Sequence, residues 1–302
     1  MIRQGILADR KKVYDVHSSQ VSINEYDEVE RYFSYFIKPE NLLVNEVNGH
    51  VVASCQINRH SMILNGRKIG VSTLMGMIAR PEDRQYLDEL LKEILNEQEH
   101  KNLITLAVTD KPRELKKYGF ENLYSMKRYT INKKDLENRS FEGVTRSFEV
   151  KDVRRLYREF TANFNGYYYR DEEYWFELFR RLPQERKNMA VYVDSDGVAQ
   201  GYMIYQIVKQ KVVVHEIIYM NGAALIRLLC YGFRYRNNME IVVSEGENLA
   251  VVFPKAKYKE EHGLMARVNN YELLNRLYGS DVRTVPGAFL MDGKPLYLNE
   301  EC

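Results

Sequence analysis

Residues 71–120 read VSTLMGMIARPEDRQYLDELLKEILNEQEHKNLITLAVTDKPRELKKYGF, and their order decides the fold. Val71–Ala79 is a nearly continuous apolar run with Gly76 inside it, as expected of a strand covered on both faces. Arg80-Pro81-Glu82-Asp83-Arg84 breaks the run; proline suits the first position of a helix and acidic side chains suit its first turn. Leu87, Leu90, Leu91, Ile94 and Leu95 then recur at helical spacing with charges opposite. Leu103–Val108 is the next buried strand, and the unit is a β-α-β crossover. Its helix starts at the carboxyl end of a strand. Unpaired backbone N–H groups and the helix dipole favour an anion at such a place.

Working outward, Asn41–Val47 and Val51–Ile57 flank Asn48-Gly49, and His60–Leu64 and Lys68–Leu74 flank Asn65-Gly66. Both pairs are hairpin signals, because Asn and Gly accept positive φ. An antiparallel meander therefore feeds the central strand. Ahead of it, Tyr26, Val29, Phe33, Phe36 and Ile37 share one helical face. His50 and His60 are read as exposed strand-end residues at unhelpful spacing for a metal. Tyr124–Ile131 should close a first domain, and the polar stretch NKKDLENRSFEG at 132–143 is a linker signal.

This order resembles the acetyl-coenzyme A core of the GNAT superfamily of N-acetyltransferases. The resemblance rests on Met77-Ile78-Ala79-Arg80-Pro81-Glu82-Asp83-Arg84 for the strand and cofactor turn, and on Tyr118-Gly119-Phe120 for the closing Gly-Phe. More narrowly the chain resembles the Eis-like branch, which has two tandem acetyltransferase-type domains and a sterol-carrier-like tail. Gly166, Arg170 and Trp175, the strand GYMIY at 201–205, His215-Glu216, and Met265-Ala266-Arg267-Val268 with Leu273-Leu274 are similar to that branch's second domain. The implied fold class is α+β (α/β), with two mixed, mostly antiparallel sheets flanked by helices. The implied division is residues 1–137 for an acetyl-coenzyme A-binding domain and 138–270 for a second domain without cofactor. Residues 271–302 would be a shortened remnant of the tail, with Val282–Val285, Ala288–Met291 and Pro295–Leu298 as a short β extension.

The resemblance implies transfer of an acetyl group from acetyl-coenzyme A to an amine, small-molecule or protein-borne, of unknown identity. The alternative is a catalytically silent relative that senses acyl-coenzyme A or serves in assembly. Met77, Ile78 and Ala79 would pair with the pantetheine arm, and Arg84, Gln85, Tyr86 and Leu87 would present amides to the pyrophosphate. This chain departs from the pattern at Leu87, where the family's turn has a glycine, and at Leu115 and Phe120, where family members carry an acidic tyrosine. Tyr118 is nominated as the acid in their place, an aromatic packed at the closing turn being the plainer alternative. Lys116-Lys117 is read as a solvated helix face, and Glu216 beside His215 as strand neighbours facing opposite sides. The branch also uses its terminal carboxylate as a base, a role not carried over here, where Cys302 follows a shortened tail.

Composition narrows the rest. A net charge of +2 from 44 basic and 42 acidic residues gives no bulk attraction to nucleic acid. Cys55, Cys230 and Cys302 match neither a disulfide framework nor a metal spacing, so no metal is expected. No apolar run reaches membrane-spanning length, which leads to an expectation of a cytoplasmic protein without a membrane partner. The resemblance implies a homo-oligomer.

Overall fold

The computed structural model describes residues 1–20, 26–109, 111–136 and 140–299. In chain order its elements begin with β1 (Ile2–Gln4), α1 (Asp9–Ser18), α2 (Tyr26–Arg31), β2 (Leu42–Val47), β3 (His50–Leu64) and β4 (Arg67–Ala79). Next come α3 (Arg84–Glu99), β5 (Ile104–Ala107), α4 (Pro112–Leu115), β6 (Glu121–Asn132), β7 (Val144–Thr145), α5 (Val150–Thr161) and β8 (Tyr167–Tyr168). The remainder is α6 (Glu172–Gln184), β9 (Lys187–Val193), β10 (Ala199–Val208), β11 (Lys211–Tyr219), α7 (Gly222–Gly232), β12 (Asn238–Ser244), β13 (Lys257–Val268), α8 (Tyr271–Tyr278) and α9 (Val285–Phe289). They condense into two compact units: Met1–Leu123 with Leu264–Met291, and Tyr124–Gly263 with Asp292–Asn299. The expected boundary at residues 137 and 138 lies outside the described residues, as does Cys302. The units themselves part at Leu123 and Tyr124.

In the first unit the strand order is β1-β2-β3-β4-β5 and then the end of β13. Every neighbouring pair is antiparallel except β4 and β5, which run parallel from Val71 opposite Ile104 to Leu74 opposite Ala107. The hairpin residues Asn48, Gly49, Asn65 and Gly66 all have the positive φ that their type led us to expect. Between β3 and β4 the register slips: Gln56 faces Met75 but Ser54 faces Ile78, so Gly76 and Met77 together oppose Cys55. This is a β-bulge, and Gly76 supplies the left-handed conformation at its centre with φ +59°. One face is covered by α3, whose Leu90, Leu91, Ile94 and Leu95 pack on Ala53, Cys55, Leu74 and Ala107. Each such leucine or isoleucine contributes about 1.5–3 kcal/mol by leaving water.

The second unit repeats the plan in the order β6-β12-β11-β10-β9-β7. Again one pair is parallel, β11 with β12, from Lys211 opposite Asn238 to Val214 opposite Ile241. Again a register slip follows, here leaving His215 as the extra residue, since Ile204 faces Glu216 and Tyr205 faces Val214. Beyond that point β11 and β12 part, and residues 295–299 occupy the opening between them. Ser244 Oγ donates to Leu296 O (2.7 Å), Asn299 Nδ2 donates to His215 O (3.4 Å), and Asn165 exchanges two backbone bonds with Pro295 O and Tyr297 N. Leu296, Tyr297 and Leu298 are buried there.

Three expectations are corrected. The expected β extension is absent from the described tail. Val285–Phe289 is a short helix, because Thr284 caps it by accepting from Gly287 N and Pro286 suits a first turn. Residues 295–298 form no regular strand beyond one bridge from Asn165 to Leu296. The face read as one helix at 26–37 is α2 followed by a π-helical turn, Tyr32–Phe36, after which Ile37 is extended. His60 lies inside β3 and is largely buried, unlike the exposed His50, and that burial holds its imidazole down at about 4. A 15-residue strand has a middle that hairpin reasoning at its two ends did not place. No helix among the described residues is long and apolar enough to cross a membrane.

Candidate active site

The parallel pairing of β4 with β5 ends where Val108 N donates to Leu74 O, at 3.0 Å. From there β4 continues along β3 to Ala79 while β5 stops at Ala107. The backbone of Met75–Ala79 therefore has no strand partner on its β5 side within the described ladder. A cleft of about 580 Å³ opens at this divergence. Gly76, Met77, Ile78 and Ala79 form one wall, Val108 and Thr109 the other, and Arg84, Leu87 and Asp88 at the start of α3 its floor. Arg113, Leu115 and Tyr118 close it from the α4 side, and His17 of α1 with Gln20 just beyond that helix closes it from the other.

Of the residues nominated from sequence, the fold brings Met77, Ile78, Ala79, Arg84, Leu87 and Tyr118 to this cleft. Gln85 and Tyr86 do not line it. Gln85 points to solvent, and Tyr86 packs with the core while its carbonyl accepts from Asn45 Nδ2 (3.2 Å). Leu87, in the first turn of α3, lines the cleft floor and also packs against the edge of the core, as its place in the apolar period led us to expect. Pro81–Asp83 forms a 3₁₀ turn leading into α3, so the helix-start amides at Arg84 and Gln85 have no partner one turn earlier in α3.

The electrostatics are organised by Asp88. Tyr118 donates to its Oδ1 at 2.6 Å, and Lys117 Nζ lies 2.9 Å from both its oxygens. These bonds, the phenol's first and the ammonium's second, hold the Asp88 carboxyl below the usual carboxylate range. Burial and the same bond to Asp88 push the Tyr118 phenol above its ordinary value, so it is protonated at neutral pH. Arg84 pairs with Glu114 across the cleft mouth. Lys111 and Arg113, both exposed, add positive charge at the same mouth. Lys117, expected on a solvated face, is exposed as well as paired.

Sequence reasoning missed His17, Asp88 and Arg113. Asp88 was one charge among many on the polar side of α3, and nothing in the sequence couples it to Tyr118 thirty positions on. His17 gave no signal at all, since a lone histidine at a helix end carries none.

In the second unit the motif residues have a different employment. Arg170 and Glu216 form a buried bidentate pair, at 3.0 and 2.5 Å, with Tyr202 Oη donating to Glu216 Oε1 at 2.7 Å. The guanidinium lies 3.9 Å from the Tyr157 ring centre and 5.2 Å from that of Trp175. His215 is the bulge residue, and its carbonyl accepts from Asn299 Nδ2 at 3.4 Å.

Comparison with known proteins agrees with this architecture. Residues 166–268 match the acetyltransferase (GNAT) domain family. No curated protein matches the chain in sequence. Among solved structures, a GCN5-related N-acetyltransferase from Anabaena variabilis superposes with TM-score 0.73 at 17% identity, over 89% of this chain and 73% of its own. Another GCN5-related N-acetyltransferase, from Kribbella flavida, gives 0.69 at 16% identity, over 89% and 70%. Eis1 from Mycobacterium abscessus gives 0.64 at 11% identity, over 91% and 75%. The chain has the fold of the GNAT N-acetyltransferases, and its residues 166–268 match that family's acetyltransferase domain.

Proposed function

We propose that the first unit is an Eis-like, acetyl-coenzyme A-dependent N-acetyltransferase site that acts on an amine. The observation that carries this is the divergence of β4 from β5 at a glycine bulge, opening a cleft whose one wall is an unpaired strand edge. An extended amide-bearing arm fits such an edge as an added strand would. Met77, Ile78 and Ala79 supply that edge. Arg84, with the helix-start amides of α3 and with Lys111 and Arg113 nearby, supplies positive potential for a pyrophosphate. Leu87 in place of a glycine narrows the approach to the turn, so binding leans on charge and helix-start amides more than on a close backbone cradle. The second unit takes no cofactor in this reading, because the corresponding opening between β11 and β12 is filled by residues 295–299.

Tyr118 is protonated and lines the cleft, which suits it to return a proton to a departing thiolate. Tyr118→Phe is expected to lower kcat about 10- to 100-fold while leaving the affinity for acetyl-coenzyme A nearly unchanged. Equal turnover by the two proteins would remove the phenol from the chemistry.

Calorimetric titration with acetyl-coenzyme A tests the site itself. One-site binding is expected, weakened at least about tenfold in Arg84→Glu, which reverses a charge at the phosphate end. Absence of heat from the unaltered protein at millimolar ligand defeats the reading. Binding with no transfer to any amine would turn it toward sensing.

A further inference from the structure

Resting on the reading of the cleft just given, we infer that His17 is the proton acceptor for the attacking amine. His17 comes from the last turn of α1 and reaches the cleft at Gly76, the centre of the bulge. Its imidazole is stacked on Tyr32 (centroids 5.4 Å apart, 28° between planes) and meets Phe33 edge-on at 5.2 Å. Tyr32 opens the π-helical turn, and its hydroxyl presses so closely on Gly76 that a Cβ there would sit 2.5 Å from it. The ring is thus clamped by two aromatics against the one backbone position where β4 changes register.

Two facts set His17 apart from the other titratable groups of the cleft. Its Nε2 is buried without a hydrogen-bond partner, an arrangement that folded proteins rarely leave unused. The other candidates are committed: Asp88 accepts from Tyr118 and Lys117, Glu114 pairs with Arg84, and the Tyr118 phenol holds its proton. Burial also pushes the imidazole down to about 4, only partly offset by the Gly76 backbone, so the ring is neutral at physiological pH and has a free lone pair.

The step balances with groups already named. The amine lone pair forms the C–N bond to the thioester carbonyl carbon. The proton on that nitrogen, made acidic as the adduct forms, passes to Nε2. The C–S bond then breaks with its electron pair on the coenzyme A sulfur, which takes the Tyr118 proton; the imidazolium proton passes to water, and water reprotonates the phenolate. A weakly basic imidazole suits this order, since it accepts from the cationic adduct and not from the free ammonium ion.

The test uses the full chain with acetyl-coenzyme A and hydroxylamine, an acceptor small enough to enter any amine site, with release of free thiol as the readout. His17→Gln and His17→Phe are expected to lower kcat about 100-fold with the KM for acetyl-coenzyme A within about twofold, and imidazole is expected to restore part of the rate to His17→Ala. A kcat within about threefold of the unaltered protein in both variants overturns the inference. So does acetyl-coenzyme A binding by the unaltered protein with no thiol released. Failure of the unaltered protein to bind acetyl-coenzyme A overturns the parent reading and this one with it. Should the variants not fold, ring ¹⁵N resonances of the unaltered protein decide: the His17 signals are expected to shift on saturation with acetyl-coenzyme A, and unmoved signals overturn the assignment.

Discussion

Glu216→Ala is expected to unfold the second unit roughly 10 °C earlier, a loss of about 3–5 kcal/mol. The magnitude follows from what is left behind. The Arg170 side chain is 2% exposed and that of Glu216 6%. Removing the carboxylate strands a guanidinium under Tyr157, Tyr174 and Trp175, where water does not reach it easily. It also takes the acceptor from Tyr202 Oη. Aromatic faces stabilise a cation by only about 0.5–2 kcal/mol each, too little to replace a bidentate carboxylate. Replacing both partners together, as Arg170→Met with Glu216→Leu, should cost far less than either single change, because no charge is then buried unpaired. Thermal and urea unfolding of the three variants check this. A single-variant loss below about 1 kcal/mol would mean that the pair is solvated.

The second large effect is a dependence on pH centred on Glu247. Burial raises its carboxyl from 4.5 to about 7, against the opposing hydrogen bonds from Ser244 N and Tyr219 Oη and the charge of Lys127. The folded value lies above the unfolded one, so the folded protein binds the proton more tightly. The associated stability is complete below about pH 4.5, and it is lost as pH rises through about 7. The window is worth about 3 kcal/mol, since each unit of difference corresponds to about 1.4 kcal/mol. Glu247→Gln keeps the shape and stays neutral. It should flatten this part of the curve and leave the protein more stable than the unaltered chain at pH 8. A fall in stability between about pH 6.5 and 8 that survives the substitution would assign the dependence to other groups; below that range the depressed His17 and His60 titrate with the opposite sign.

The fold was legible where local chemistry and period agreed. Asn48-Gly49 and Asn65-Gly66 fixed two hairpins, the leucine spacing fixed α3, and the flat apolar run of Val71–Ala79 fixed a strand covered on both faces. The tail was misread because Val282, Val285, Ala288 and Met291 offer apolar spacing without saying which period applies, and Thr284-Pro286-Gly287 decided it as a cap. The site was legible only along its main chain. Met77–Ala79 and Arg84 reach the cleft as expected because a strand–turn–helix crossover places them without reference to distant residues. Asp88 with Tyr118, and His17 with Gly76, are pairings made by packing between elements far apart in sequence. No local pattern encodes them.

The opening in the second unit that residues 295–299 fill has a consequence for synthesis. The ribosome delivers β6 to β12 well before it delivers Pro295–Asn299. Until then Ser244 and Asn165 lack the backbone partners they have in the finished protein, and the ring cluster around Phe160 and Phe164 lacks Tyr297. The first unit likewise waits for Leu264–Val268 to line the edge of β5. Each half is therefore completed by a segment made after the bulk of the second, Leu264–Val268 for the first and Pro295–Asn299 for the second, so folding on the ribosome cannot complete the first half before most of the second is made.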